Sequence, residues 1–261
     1  MNQFPVFLGV LRYEFRMQIR RPALWITMAL FTLLIIGIGG GGGILRVDLL
    51  QNAESRSLLN LLAQWAFRIN TFFPIAVGVL LADRLPRDRR TKTEELFATA
   101  PGALSARLLG KYFGTMLATL IPVLIVYIAG VGLIAYDAQN ALVIPLSLAP
   151  FAVINLPGIL FVSAFSLACT SIMWTPLFQF LFVGYWFWGN LLETRFGIPT
   201  LSRTILTPIG GYMASGIYGE PFIQQGATAM QGVESIALLL AIAALVMSTL
   251  WGLLKWQQAS Q

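Results

Sequence analysis

The chain has 261 residues, 57% of them hydrophobic and 11% charged, with a net charge of +6 and no histidine; its mean hydropathy is +0.76. A soluble domain carries about 25% charged residues, so this composition excludes an ordinary water-soluble fold. It points to an all-α polytopic membrane protein, because helices satisfy their own backbone groups in lipid, and the alternating segments of an outer-membrane barrel are missing from the sequence.

Residues 1–21 form a first, distinct segment. Phe4, Phe7, Leu8, Leu11, Phe15 and Ile19 recur at three- and four-residue spacing and make one helical stripe. Arg12, Arg16 and Arg20 follow beside it at intervals of four. The pattern predicts an amphipathic elbow helix in the membrane interface, apolar face down and arginines toward lipid phosphates. The residue before a proline disfavours helical geometry, so Pro22 should separate this helix from the first span. That span, residues 24–45, ends in Ile-Gly-Ile and five glycines and lacks an Ala-x-Ala pattern. A retained transmembrane helix is expected there, not a cleaved signal peptide.

Five further runs, at 62–82, 108–136, 141–169, 173–192 and 233–256, match the ~20 apolar residues that cross the hydrocarbon core. Arg68, near the outer end of the second span, either snorkels to the headgroups or lines a pathway. Residues 83–107 form a charged loop with mixed signs and a short helical pattern, suited to docking a soluble partner. The fourth run contains Pro145, Pro150 and Pro157 and should be kinked or divided. The fifth ends in Tyr185, Trp186, Phe187 and Trp188, aromatics expected at the membrane interface. Residues 193–232 make the longest connection, apolar and interrupted by prolines, which reads as short helices at the outer leaflet. Gly39 with Gly43, and Gly110 with Gly114, have the spacing that permits close helix contact.

Six spans with both termini cytoplasmic place twelve basic residues inside and five outside. That asymmetry is the one expected of a cytoplasmic charged loop. It accounts for the net charge through topology and anionic lipid, with no nucleic-acid partner required.

Catalytic chemistry is sparse. Without histidine there is no His-based acid–base catalysis, His metal ligation or Ser-His-Asp triad. Glu94 and Glu95 are adjacent, so on a helix they point different ways and cannot share a substrate. Gly110-Lys111 is not a phosphate-binding loop, since Ser105 and Tyr112 stand where glycine and Ser/Thr are needed. The chain is expected to be no enzyme and to bind no metal or nucleotide itself. The single cysteine, Cys169, cannot form a disulfide within the chain.

Thr93-Glu94-Glu95-Leu96, Pro101 and the Leu-Leu-Gly-Lys of 108–111 resemble the segment joining the second and third spans of type-2 ABC transporter permeases. The resemblance extends to the Arg-rich elbow ending in Arg20-Arg21-Pro22, the six-span order, the long fifth-to-sixth connection, and Thr207-Pro208-Ile209-Gly210-Gly211-Tyr212. It implies one transmembrane half of an exporter in a bacterial plasma (inner) membrane. That half would pair with a second permease copy or a relative and with separate ATPase subunits carrying ATP and Mg. The family's coupling helix would fall at residues 91–100. Arg89, Arg90, Lys92, Glu94 and Glu95 would then face the ATPase, with Leu96 and Phe97 as apolar anchors. The second and fifth spans would face across the dimer, making Phe72, Phe73, Phe178, Phe182 and Tyr185 pathway residues. A different class remains open on sequence alone: a membrane scaffold or channel whose basic loop binds another cytoplasmic partner.

Overall fold

The computed structural model describes residues 3–38, 58–90, 103–192, 197, 199–219 and 223–259. Of these, 84% are helical and none is in a strand. Residues 39–57, with the end of the first predicted span and Gly39 and Gly43, lie outside them, as do 91–102.

Helix α1 (Phe4–Ile19) and helix α2 (Pro22–Ile38) meet at a 60° bend. Pro22 has no N–H to donate and starts α2, so the chain breaks at Arg20–Arg21 as the sequence predicts. Helix α3 (Leu58–Leu81) is followed after a two-residue turn by the short α4 (Arg84–Arg90). Helix α5 (Leu104–Asp137) has 34 residues. At 1.5 Å per residue it is about 51 Å long, so even a strongly tilted α5 reaches beyond the ~30 Å hydrocarbon core.

The fourth apolar run is one continuous helical stretch carrying a π-turn, not a divided one. Helix α6 (Val143–Pro150) passes through a π-helical turn, Phe151–Asn155, into α7 (Leu156–Ile172). Pro150 and Pro157 bracket that turn. Its widened spacing, with the Leu156 N–H bonded to Phe151 O, lets the helix continue despite the missing proline donors. Helix α8 (Thr175–Leu191) follows, then α9 (Gly211–Tyr218) within the long connection, and finally α10 (Ala229–Ala259).

Among the described residues, four continuous helical stretches are long and apolar enough to cross a membrane: Leu58–Arg87, Leu104–Asp137, Val143–Ile172 and Ala229–Ala259. The α1–α2 pair passes the same test only when its two bent helices are taken together, which gives up to five. Helix α3 is central: its apolar stretch is 72% buried inside the chain, against 22% for α10, which lies at the periphery. Around α3, Leu62, Ala66, Ile69 and Phe73 pack with Tyr127, Phe151, Ile154 and Ile159.

Close approach of α3 and α5 depends on Gly130. A Cβ there would lie 2.2 Å from the Trp65 ring, whose indole N–H donates to Tyr127 O at 2.9 Å. Gly130→Ala is expected to force the indole away and cost about 1–3 kcal/mol, read as a lowered thermal midpoint in detergent.

Candidate functional site

Helix α1 has three faces. Arg12, Arg16 and Arg20 form one, exposed together. Phe4 and Leu8 remain exposed on the apolar flank. The third face packs lengthwise against the start of α5. There Gly110 lies under Phe7 and Val10, and Gly114 under Leu11 and Glu14, so close that a Cβ at Gly114 would sit 2.6 Å from Leu11 O. The Gly110/Gly114 spacing does permit close helix contact. Phe7 also meets Phe113 edge-on, with ring centroids 6.4 Å apart. Phe7 and Leu11 therefore face α5, a correction to a stripe read as lying wholly against lipid.

On this inner face Glu14 is 1% exposed. One carboxylate oxygen pairs with the Arg84 guanidinium, and the other accepts from Lys111 Nζ at 2.7 Å. Arg84 opens α4 and Lys111 lies in the second turn of α5. A further tie holds the start of α5, where the Ala103 N–H donates to Gln3 Oε1 at 2.8 Å. One helix thus grips both flanks of residues 91–102. Two cations share one carboxylate in a place closed to water, and Gln18, one turn along α1, is buried with them. Each oxygen of Glu14 takes one cation, and without that carboxylate the Arg84 charge would be left enclosed without its partner.

Of the residues expected to meet a partner, Arg89 and Arg90 lie within α4, while Lys92, Glu94, Glu95, Leu96 and Phe97 lie outside the described residues. Arg84 and Lys111 are two of the twelve basic residues assigned to the inside by the topology, and their burial is not marked along the chain. Nor does Glu14, the single acid of α1, figure among the expected site residues. The available signal was Glu14 and Gln18 at i and i+4, a polar pair away from the arginine stripe.

The expected pathway aromatics do not form one exposed surface. Phe73 is fully buried and Phe72 half-buried. Phe178 is buried and stacks on Phe182, with ring centroids 5.5 Å apart. The Phe182 ring fills the space beside Gly78 of α3, and Tyr185 is exposed. Helices α3 and α8 meet within one chain, joined by Gln179 Nε2 to Val79 O at 3.0 Å and Trp186 Nε1 to Thr71 O at 2.8 Å. Trp186 is thus a core residue and not part of an interfacial belt, unlike the exposed Tyr185, Phe187 and Trp188.

A second polar knot lies at the middle of α3. Asn70 Nδ2 faces Ile154 O at 3.1 Å, Pro208 O at 2.8 Å and Ile209 O at 2.8 Å. Asn155 Nδ2 donates back to Ala66 O at 3.1 Å. Gly210, at φ +89°, turns the chain here, and a Cβ on Gly158 would lie 2.5 Å from Pro208 O. The knot fastens residues 207–210 to the π-turn. Beside it an open cleft of about 200 Å³ is lined by Phe67, Asn190, Thr207 and Gln224. This is smaller than the roughly 300–1,000 Å³ of ordinary ligand pockets, and Thr207 already donates to Asn190 at 3.0 Å. Among the described residues no group of His, Cys, Asp and Glu is placed to hold a metal ion.

The chain is an integral membrane protein of packed helices. No protein-family model matches its sequence, and no curated protein matches it.

Proposed function

We propose that this chain is the permease subunit of an ATP-driven type-2 ABC exporter, coupled to a separate ATPase through residues 91–100. The observation that carries this reading is the brace around that segment. A loop that transmits force must be fixed at both ends to the parts it moves, and Glu14 joins Arg84 to Lys111 across it. Helix α1, with its exposed arginines, is tied to the starts of α4 and α5, and this supports reading that end of the bundle as cytoplasmic.

In this reading α2, α3, α5, the α6–α7 unit, α8 and α10 are the six spans, and both termini are cytoplasmic. Helix α8 has 17 residues, the short limit of the ~17–25 that span a bilayer. The membrane is a bacterial plasma membrane. A second copy or a related permease completes the pathway, and ATP and Mg reside on the partner ATPase. Nucleotide binding favours the closed ATPase pair, and that preference is passed through the braced segment to α1, α3 and α5. Amphipathic or lipid-like cargo suits the aromatic and aliphatic surface of α8.

The test is purification of the tagged chain from its own membranes with assay of associated ATPase activity. Wild type is expected to carry ATPase with it. A Glu94→Arg/Leu96→Asp variant should lose about tenfold or more of that association, since an anchor and a rim charge are removed together. Absence of ATPase from wild-type preparations across several mild detergents would remove the exporter reading.

A further inference from the structure

We propose that the outer face of α1 is a binding site for an anionic phospholipid carrying two phosphates, seated in the groove at Gly9. The groove holds about 510 Å³ of open space and is lined by Gly9, Arg12, Tyr13, Arg16, Met17 and Arg20. Gly9 makes the notch: a Cβ built there would meet nothing within 4 Å. The three arginines are exposed. The only acid of α1, Glu14, is turned inward against Arg84 and Lys111. The outer face is therefore uniformly cationic, with no carboxylate on α1 to compete for it.

Arginines four apart stand one turn apart, about 6 Å along the axis, so neighbouring guanidiniums reach separate phosphate groups. The planar fork of arginine binds phosphate oxygens in pairs, which a general positive field does not require. A lipid is favoured over a soluble diphosphate because exposed Phe4 and Leu8 flank the stripe along the same helix. Acyl chains can lie on that flank while the headgroup fills the groove. The inference rests on α1 lying at the membrane surface and is independent of any ATPase.

The experiment is native mass spectrometry of the full chain in detergent, titrated separately with diphosphatidylglycerol, phosphatidylglycerol and phosphatidylcholine. Diphosphatidylglycerol adducts are expected to exceed phosphatidylcholine adducts about tenfold and phosphatidylglycerol adducts by a smaller factor, as two charge-assisted contacts outweigh one. Arg12→Gln/Arg16→Gln should lower the diphosphatidylglycerol adduct about tenfold. Gly9→Phe keeps every arginine and fills the groove, and should weaken the same adduct comparably. These side chains are exposed, so all variants should keep the wild-type thermal midpoint. If Gly9→Phe binds like wild type, the arginines act as a diffuse field and the site is refuted. Equal adducts from one- and two-phosphate lipids, or complete displacement by inorganic pyrophosphate, would also overturn it. None of these outcomes bears on the ATPase-docking reading, which co-purification tests separately.

Discussion

Glu14→Gln is expected to be among the most destabilising single changes in this chain. The substitution keeps the shape of the side chain and removes its charge, taking from the buried Arg84 its carboxylate partner and weakening the hold on Lys111. Breaking a buried ion pair by removing one partner costs about 3–5 kcal/mol, because the remaining charge has neither water nor a partner. The loss should appear as a lowered unfolding midpoint in detergent or nanodiscs. High salt should not restore it, since mobile ions screen exposed charges far more than enclosed ones. Replacing the whole cluster, as Glu14→Leu/Arg84→Met/Lys111→Met, should recover most of the stability because the enclosed Glu14 and Arg84 charges are removed together. Under the exporter reading, that stable triple variant should still bind an ATPase but show weakened coupling of hydrolysis to transport. A Glu14→Gln variant as stable as wild type would mean that the buried cluster does not form.

Asn70→Leu is expected to release the long connection between α8 and α10. The Asn70 amide has two hydrogens facing three carbonyls, so at most two are fully bonded at a time. Leucine supplies none. Each buried acceptor left without a donor costs about 1–3 kcal/mol, so a total of about 2–6 kcal/mol is expected. The effect should be local as well as global. Residues 199–219 should become more sensitive to protease, while the helical circular dichroism of the bundle persists. Asn70→Asp should recover only part of the loss, since a carboxyl enclosed against carbonyl oxygens holds its proton and has one hydrogen to donate where the amide has two. An unchanged cleavage rate in Asn70→Leu would show that the connection is held by its apolar contacts alone.

Both effects concern features that could not be read along the chain. Asn70 looks like one polar residue in an apolar helix until Pro208, 138 positions away, is brought beside it. Glu14 looks like a solvated acid on a basic helix until α1 is laid against α5. The same limit applies to the aromatics. Composition predicts that Trp186, Phe187 and Trp188 belong to a membrane span, but only packing separates the buried Trp186 from its exposed neighbours. Phe73 and Phe178 were candidates for a pathway because they are aromatic and apolar, and those properties suit a protein core equally well.

Other elements were legible because their cause is local. Pro22 lacks an N–H and restricts Arg21, so the 60° bend between α1 and α2 follows from covalent chemistry. Gly110 and Gly114 have no side chain to hold a neighbour off, and α1 does approach α5 there. The prolines of the fourth run announced a distortion, but its form did not follow from them. A kink, a break or a π-turn each satisfies a missing donor, and the choice depends on what packs alongside. Here Asn155 and Asn70 from the two sides of the contact tie the π-turn to α3.

Membrane residence and a helical build follow from composition alone, because hydropathy acts residue by residue and lipid forbids unpaired backbone. Local sequence also sets where the chain must bend and which helix faces are free of bulk. Which charges are enclosed, which aromatics are core, and that one helix grips both flanks of residues 91–102 emerge only from packing. Those outcomes depend on what lies opposite each side chain. A charge facing water and a charge facing a carboxylate are the same residue in the sequence, and their energies differ by several kcal/mol in the fold.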